Sequence, residues 1–211
     1  MLKQLTVENF VNEVDSKSPA PGGGSVSALA SSLGFGLTRM VGHLSSGKKK
    51  FRALDQEIQD KFNAIIEEFL SMKTEMIELI DKDTDAFNLI MAAFKLPKET
   101  DDEKSLRGQK IEEGTLEAIK VPFRVAELSL KGLKHLDFVL QYGNKNTLSD
   151  LGVSALMLQA GLEGAILNVK INIPGISNKE TREYYISNSE SILNEGSTLR
   201  NEVLKTVHGK L

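Results

Sequence analysis

Between Phe51 and Phe94 large apolar residues recur at steps of three, four or seven, at Phe51, Leu54, Ile58, Phe62, Ile65, Phe69, Met76, Ile80, Phe87 and Phe94. This is the period of a helix buried along one stripe, sustained too long for a strand. The same period returns almost everywhere else, and no stretch alternates strictly between polar and apolar residues with turn signals on both sides. The sequence therefore predicts an all-α fold, a single-domain bundle of long helices over residues 1–211.

Turn and cap residues divide the chain. A short helix is expected from about Thr6 to Val14, with Thr6 or Asn9 as cap, and a second from Ser25, its N-cap, to about Leu44. A third spans about Lys49 to Ala93, and "KLPKETDDEKS" forms a polar loop. A fourth begins near Asp101 or Asp102 and is kinked or split at Pro122, which removes a backbone donor. Gly143 suits its stop and Ser149 the cap of a fifth, about Asp150 to Val169; "INIPGIS" breaks the chain before a last helix from about Asn178 to Val207.

Composition narrows the function. The chain has no cysteine, which removes disulfides, thiol catalysis and thiolate metal sites, and its three histidines (His43, His135, His208) share no ligand spacing, so no metal is expected. A net charge of −3 argues against nucleic acid as a partner, leaving "GKKKFR" at 47–52 as the one basic cluster. No run approaches the roughly 20 apolar residues that span a bilayer. The N-terminus lacks the apolar centre of a signal peptide. The expectation is a cytoplasmic protein without a membrane partner. "GHLSSGKK" imitates a phosphate-binding loop at Gly42, Gly47 and Lys48, but Lys49 stands where magnesium needs Ser or Thr, and no strand precedes it.

One carboxylate falls on the wrong face. With Ile80 as reference and about 100° per residue, Phe62, Phe69, Met76, Phe87 and Phe94 lie within about 40°, as does Lys73, placed to snorkel at the bundle's edge. In "LIDKDTDAF" Asp81 and Asp85 turn about 100° and about 140° away toward solvent, whereas Asp83 lies only about 60° off, inside the stripe. A carboxylate there is either a structural group bonded to a lysine or a backbone amide, or a group whose pKa burial has raised into the range of a general acid or base.

Small residues repeat at helical spacing at Ala28, Ser32 and Gly36, and at Gly152, Ala160 and Gly164 with Leu156 between, which implies close helix packing or room for a ligand. Asn168, seven residues after Gly161, projects an amide on that face. "YGNKNTLSD" adds Asn144, Asn146 and Asp150 at a helix boundary. In "SPAPGGGS" Pro19 and Pro21 hold an extended approach, Gly22, Gly23 and Gly24 free the backbone to turn and to come near a ligand, and Ser25 opens a helix whose first amides await a carbonyl or carboxylate. On residues alone an assembly scaffold and an anion-binding module compete with an enzyme.

Five ordered blocks, "SPAPGGGSVSALASSLG", "DKDTDAFNLIMAAFKLPK", "VPFRVAE", "GNKNTLSDLGVSALML" and "GAILNVKIN", resemble the cyclodeaminase/cyclohydrolase family of folate enzymes over about residues 5 to 205. The resemblance implies an all-helical homodimer that holds folate in a cleft near the subunit interface, with the second aspartate of Asp-x-Asp-x-x-Ala-Phe, here Asp83, as the catalytic residue. It implies formiminotetrahydrofolate cyclodeaminase activity, an ammonia-lyase reaction, or methenyltetrahydrofolate cyclohydrolase activity. Pro21, Gly22, Gly23, Gly24, Ser25, Asn144, Asn146, Asp150 and Asn168 are the expected substrate contacts, and Lys48 with Lys49, Lys50 and Arg52 the expected receiver of the folate glutamate tail. No cofactor is expected beyond the folate substrate, and any formiminotransferase partner is expected on a separate chain.

Overall fold

The computed structural model describes residues 1–211 and is helical almost throughout. Seven α-helices follow in order: α1 (Val7–Val14), α2 (Gly23–Ser46), α3 (Lys49–Arg52), α4 (Gln56–Phe94), α5 (Asp101–Tyr142), α6 (Leu148–Asn172) and α7 (Lys179–His208). There is no strand. Short 3-10 turns precede α1 and α6 and follow α6.

α2 lies in the middle, packed against α4, α5 and α6, while α7 covers α5 and α6. α2 and α6 run antiparallel, since Gly23 meets Asn168 at one end and Thr38 bonds Ser154 toward the other. Small residues hold this pair close. A Cβ on Gly161 would stand 1.9 Å from Ser31 Oγ, one on Gly164 2.4 Å from Ser27 Oγ, and one on Gly34 2.9 Å from Leu158. Ser27, Ser31 and Gly34 therefore carry the seam, whereas Ala28 and Ser32 face other helices and Gly36, Leu156 and Ala160 face outward. The hydroxyls trapped there are paired, Ser31 with Ser129 at 2.6 Å and Thr38 with Ser154 at 2.8 Å, as burial requires. Phe35 and Phe69 meet edge to face at 5.6 Å in the centre of the core.

Several boundaries differ from expectation for local reasons. The long third helix is two, α3 and α4, separated at Ala53–Asp55; Phe51 still reaches the core, edge to face with Phe62 at 4.9 Å. Pro122 does not split α5, which runs unbroken from a capping box of Thr100 and Glu103 to Gly143. Thr147, not Ser149, precedes α6. Asp81 does not face open solvent: its Oδ1 accepts the Leu2 and Lys3 amides at 2.6 and 3.4 Å, donors that the first turn of a helix leaves free. Phe94 is half exposed, with Arg107 of α5 over its ring at 5.5 Å, and Gly42 of the false phosphate loop is within α2, its Cβ position 2.6 Å from Ile66. α6 alone is long and apolar enough to cross a membrane; more than half of that stretch is buried in the bundle.

Candidate active site

Where α2 begins, α4 presents Asp83 to it. The backbone amide of Ser25 donates to Asp83 Oδ2 at 2.8 Å, and the Ser25 hydroxyl lies 3.2 Å from the same oxygen while donating to the Ile80 carbonyl at 2.8 Å. Oδ1 lies against Gly24 without a hydrogen-bond partner, and the Asp83 side chain lines a cavity of about 340 Å³. Burial pushes the Asp83 carboxyl above its ordinary range, and the two Ser25 hydrogen bonds, which favour the charged form, offset this only in part. The carboxylate is thus both bonded to a backbone amide and raised, so the alternatives drawn from its helix face are not exclusive.

The glycine loop makes this approach possible by lacking side chains, not by unusual dihedrals, since no glycine has a positive φ. A Cβ on Gly24 would stand 2.0 Å from Asp83 Oδ1, and one on Gly23 2.9 Å from Asn168 Nδ2. Gly22 is the N-cap and carries no such restriction. Ser25 is not the cap: it is the third residue of α2, and its amide meets the protein's own Asp83 in place of a ligand carboxylate. Pro21 is buried behind the loop, whereas Pro19, Ala20, Gly22 and Gly23 line the cavity.

The opposite wall comes from α6 and α5. Asn168 and Asn172 sit one turn apart on α6, both on the cavity. Asn168 Nδ2 donates to the Gly164 carbonyl at 2.8 Å. Asn172 Nδ2 donates to the Asn168 carbonyl at 2.9 Å and to the Ala118 carbonyl at 3.4 Å. The Ala118 carbonyl is the one that Pro122, lacking an N–H, leaves without its helical donor. Asn172 therefore satisfies the defect that Pro122 creates, and with both amide hydrogens engaged its Oδ1 remains to accept. Phe87, Ile90 and Ile171 give the apolar remainder of the wall.

Asn144, Asn146, Asp150 and Lys48 are not here, contrary to expectation. Asp150 is in the first turn of α6 and Asn168 near its last, about 27 Å apart at the helical rise. Asn144 is a turn residue, accepting the Asn146 amide at 3.1 Å and donating to the Leu44 carbonyl at 3.2 Å. Asn144, Asn146 and Lys48 line a second cavity of about 430 Å³ at the far end of α2, with Lys49 and Lys50. Asn172 was missed because the sequence places the end of α6 at Val169; one further turn of the same face would have reached it from Asn168. Ala118 carries no sequence signal, as only tertiary packing brings α5 to this wall.

Residues 6–191 match the family described as formiminotransferase-cyclodeaminase. The chain is 32% identical to the methenyltetrahydrofolate cyclohydrolase of Methylorubrum extorquens over 206 residues, covering 98% of this chain and 97% of that protein. It is 34% identical to the formimidoyltransferase-cyclodeaminase of Rattus norvegicus over 209 residues, which is 99% of this chain but 38% of that protein. A solved structure of formiminotetrahydrofolate cyclodeaminase from Thermotoga maritima has the same fold, with a TM-score of 0.79 over 100% of this chain and 98% of that one at 24% identity.

Proposed function

The chain belongs to the formiminotransferase-cyclodeaminase family, and from that premise we propose that it is a folate one-carbon enzyme. The reaction we assign is the cyclodeaminase step, 5-formiminotetrahydrofolate to 5,10-methenyltetrahydrofolate and ammonia. The observation that carries it is Asp83, held through one oxygen by Ser25 on the wall of a ligand-sized cavity. At about 340 Å³ the cavity falls at the lower end of the ~300–1,000 Å³ range of small-molecule sites, enough for a pterin ring with its one-carbon unit.

Substrate N10 attacks the formimino carbon borne on N5, and the amine departs from the tetrahedral centre. A proton must leave N10 and another must reach the departing nitrogen. Ser25 keeps Oδ2 as an acceptor, so the proton Asp83 takes up resides on Oδ1, the oxygen that Ser25 leaves free. Burial raises the Asp83 pKa and so makes the carboxyl a stronger base than a solvated one, which suits a single group that acts first as base and then as acid. Asn168 and Asn172 hold the ring from the opposite wall. The chemistry consists of proton transfers at an amidine, which calls for no cofactor. The formimino group would be delivered by a formimidoyltransferase, the activity named alongside cyclodeaminase in the rat relative.

The cyclohydrolase relative, matched over nearly its whole length, favours a second reading. There Asp83 activates a water that adds to the methenyl bridge, and the proton passes to N5 as the ring opens to 10-formyltetrahydrofolate. Offering the two folates separately distinguishes the readings: ammonia release from the formimino compound supports the first, and ring opening of the methenyl compound without ammonia release supports the second. In either, Asp83→Asn should lower turnover by about 10²–10⁴-fold with helix content intact. Near-normal turnover in the folded variant would remove Asp83 from the mechanism.

A further inference from the structure

Ser25 has one hydroxyl hydrogen and more than one place to put it. Its Oγ lies 2.8 Å from the Ile80 carbonyl and 3.2 Å from Asp83 Oδ2, and both of these oxygens accept. A third neighbour is the Thr84 hydroxyl, 3.4 Å from Ser25 Oγ. Thr84 follows Asp83 on α4 and stands on the wall of the same cavity.

The Thr84 hydroxyl does not behave as helical threonines commonly do, which is to turn back to the carbonyl four residues earlier. Thr74 on the same helix donates in that way to the Leu70 carbonyl at 2.9 Å, and Thr198 and Thr206 on α7 donate to Asn194 and Glu202 at 3.0 and 3.1 Å. For Thr84 the corresponding carbonyl is Ile80, which Ser25 reaches from the neighbouring helix instead. Ser25 Oγ is left as the one hydrogen-bond partner of the Thr84 hydroxyl.

The charge on Asp83 decides how these groups are wired. With the carboxyl protonated, the Ile80 carbonyl is the nearer acceptor and the Ser25 O–H points there. With the carboxyl ionised, Oδ2 attracts a donor about twice as strongly as a neutral oxygen does, and the Ser25 O–H turns to it. The Ile80 carbonyl still has the Thr84 amide, its partner in the helical ladder. Thr84 O–H then donates to the Ser25 oxygen, and a hydroxyl that accepts one hydrogen bond donates a stronger one. The chain runs in one direction, from Thr84 through Ser25 to Asp83. No other charge shares this role. α2 meets the carboxylate with Gly24 and Ser25, and among the residues of the glycine loop, α4, α5 and α6 that line the cavity Asp83 alone titrates.

We propose that Thr84 is a positioning residue whose hydroxyl fixes Ser25 as a donor to Asp83, so that the pair steadies the ionised carboxylate that takes the substrate proton. The proton transfer rests on the reading of Asp83 as general base; the hydrogen-bonded chain does not.

The test is a set of kcat/KM profiles against pH, which report the free enzyme. Loss of a donor to the ionised form raises the pKa, so the limb that rises as Asp83 ionises should move to higher pH. At a fixed pH on that limb Ser25→Ala, which keeps the backbone amide bond, should lower kcat/KM about tenfold. Thr84→Val, which keeps the shape of the side chain, should lower it about twofold, with the loss shrinking toward the plateau. Thr84→Ser restores the hydroxyl and should return the limb to its wild-type position. In a Ser25→Ala background Thr84→Val should move the limb no further, because Thr84 acts through Ser25. A limb unmoved by Thr84→Val, an equal loss at every pH, or the same displacement in the Ser25→Ala background would each overturn the proposal. The carboxyl carbon resonance of Asp83 in the ligand-free protein, assigned by its absence in Asp83→Asn, separates the two readings. If its titration moves with Thr84→Val while kcat/KM does not follow, or neither folate is turned over, the chain of hydroxyls stands and Asp83 is not the base; if the titration does not move, the chain itself is refuted.

Discussion

Asp83 is costly to bury charged, and that cost has a sign that can be measured. Its pKa in the folded protein lies above the unfolded value, so its contribution to stability is fully present in acid, where it is protonated in both states, and is lost as pH rises through the raised folded pKa. Asp83→Asn, which mimics the protonated group, should therefore melt higher than wild type at neutral and alkaline pH, and the two melting curves should converge in acid. Activity should show the opposite dependence: kcat/KM rises as Asp83 ionises, and the variant lacks that limb of the profile. Gly24→Ala tests the space instead of the charge. Its Cβ would fall 2.0 Å from Asp83 Oδ1, so the carboxylate must move, and turnover should drop at least tenfold while far-ultraviolet circular dichroism stays unchanged. Gly23→Val presses on Asn168 and should raise KM more than it alters helix content.

Pro122 and Asn172 work as a unit across α5 and α6. Removing the Asn172 amide leaves the Ala118 carbonyl, already without its helical donor, unpaired beside the cavity, and Asn172→Ala should cost about 1–3 kcal/mol in chemical denaturation. In a Pro122→Ala background the new N–H at position 122 reaches that carbonyl, so the same Asn172→Ala change should cost less. A double-mutant cycle with no coupling would show that the long 3.4 Å contact contributes nothing. The helices themselves follow from local sequence: Thr6 and Asn178 accept from Asn9 and Thr181 as N-caps, and Thr100 with Glu103 forms a capping box. The continuity through Pro122 does not, because the carbonyl it strands is met by Asn172 of another helix.

At the scale of the whole molecule a ligand that occupies the Asp83 cavity binds the native state only. Formiminotetrahydrofolate or methenyltetrahydrofolate at about 100 times its Kd should therefore add about 2.7 kcal/mol, read as a rise in Tm that Asp83→Asn need not abolish. The all-helical bundle and the half-buried setting of Asp83 were legible in the sequence. A period of 3.6 is a property of each segment by itself, and an aspartate three residues after Ile80 and four before Phe87 must share their face. The membership of the site was not legible, because distance along the chain says nothing about which helix ends meet. Antiparallel packing of α2 on α6 brought Gly23 to Asn168, carried Asn144, Asn146, Asp150 and Lys48 to the far end, and added Ala118 and Asn172 to the wall. Periodicity specifies which face of a helix is buried; only packing specifies what that face is buried against.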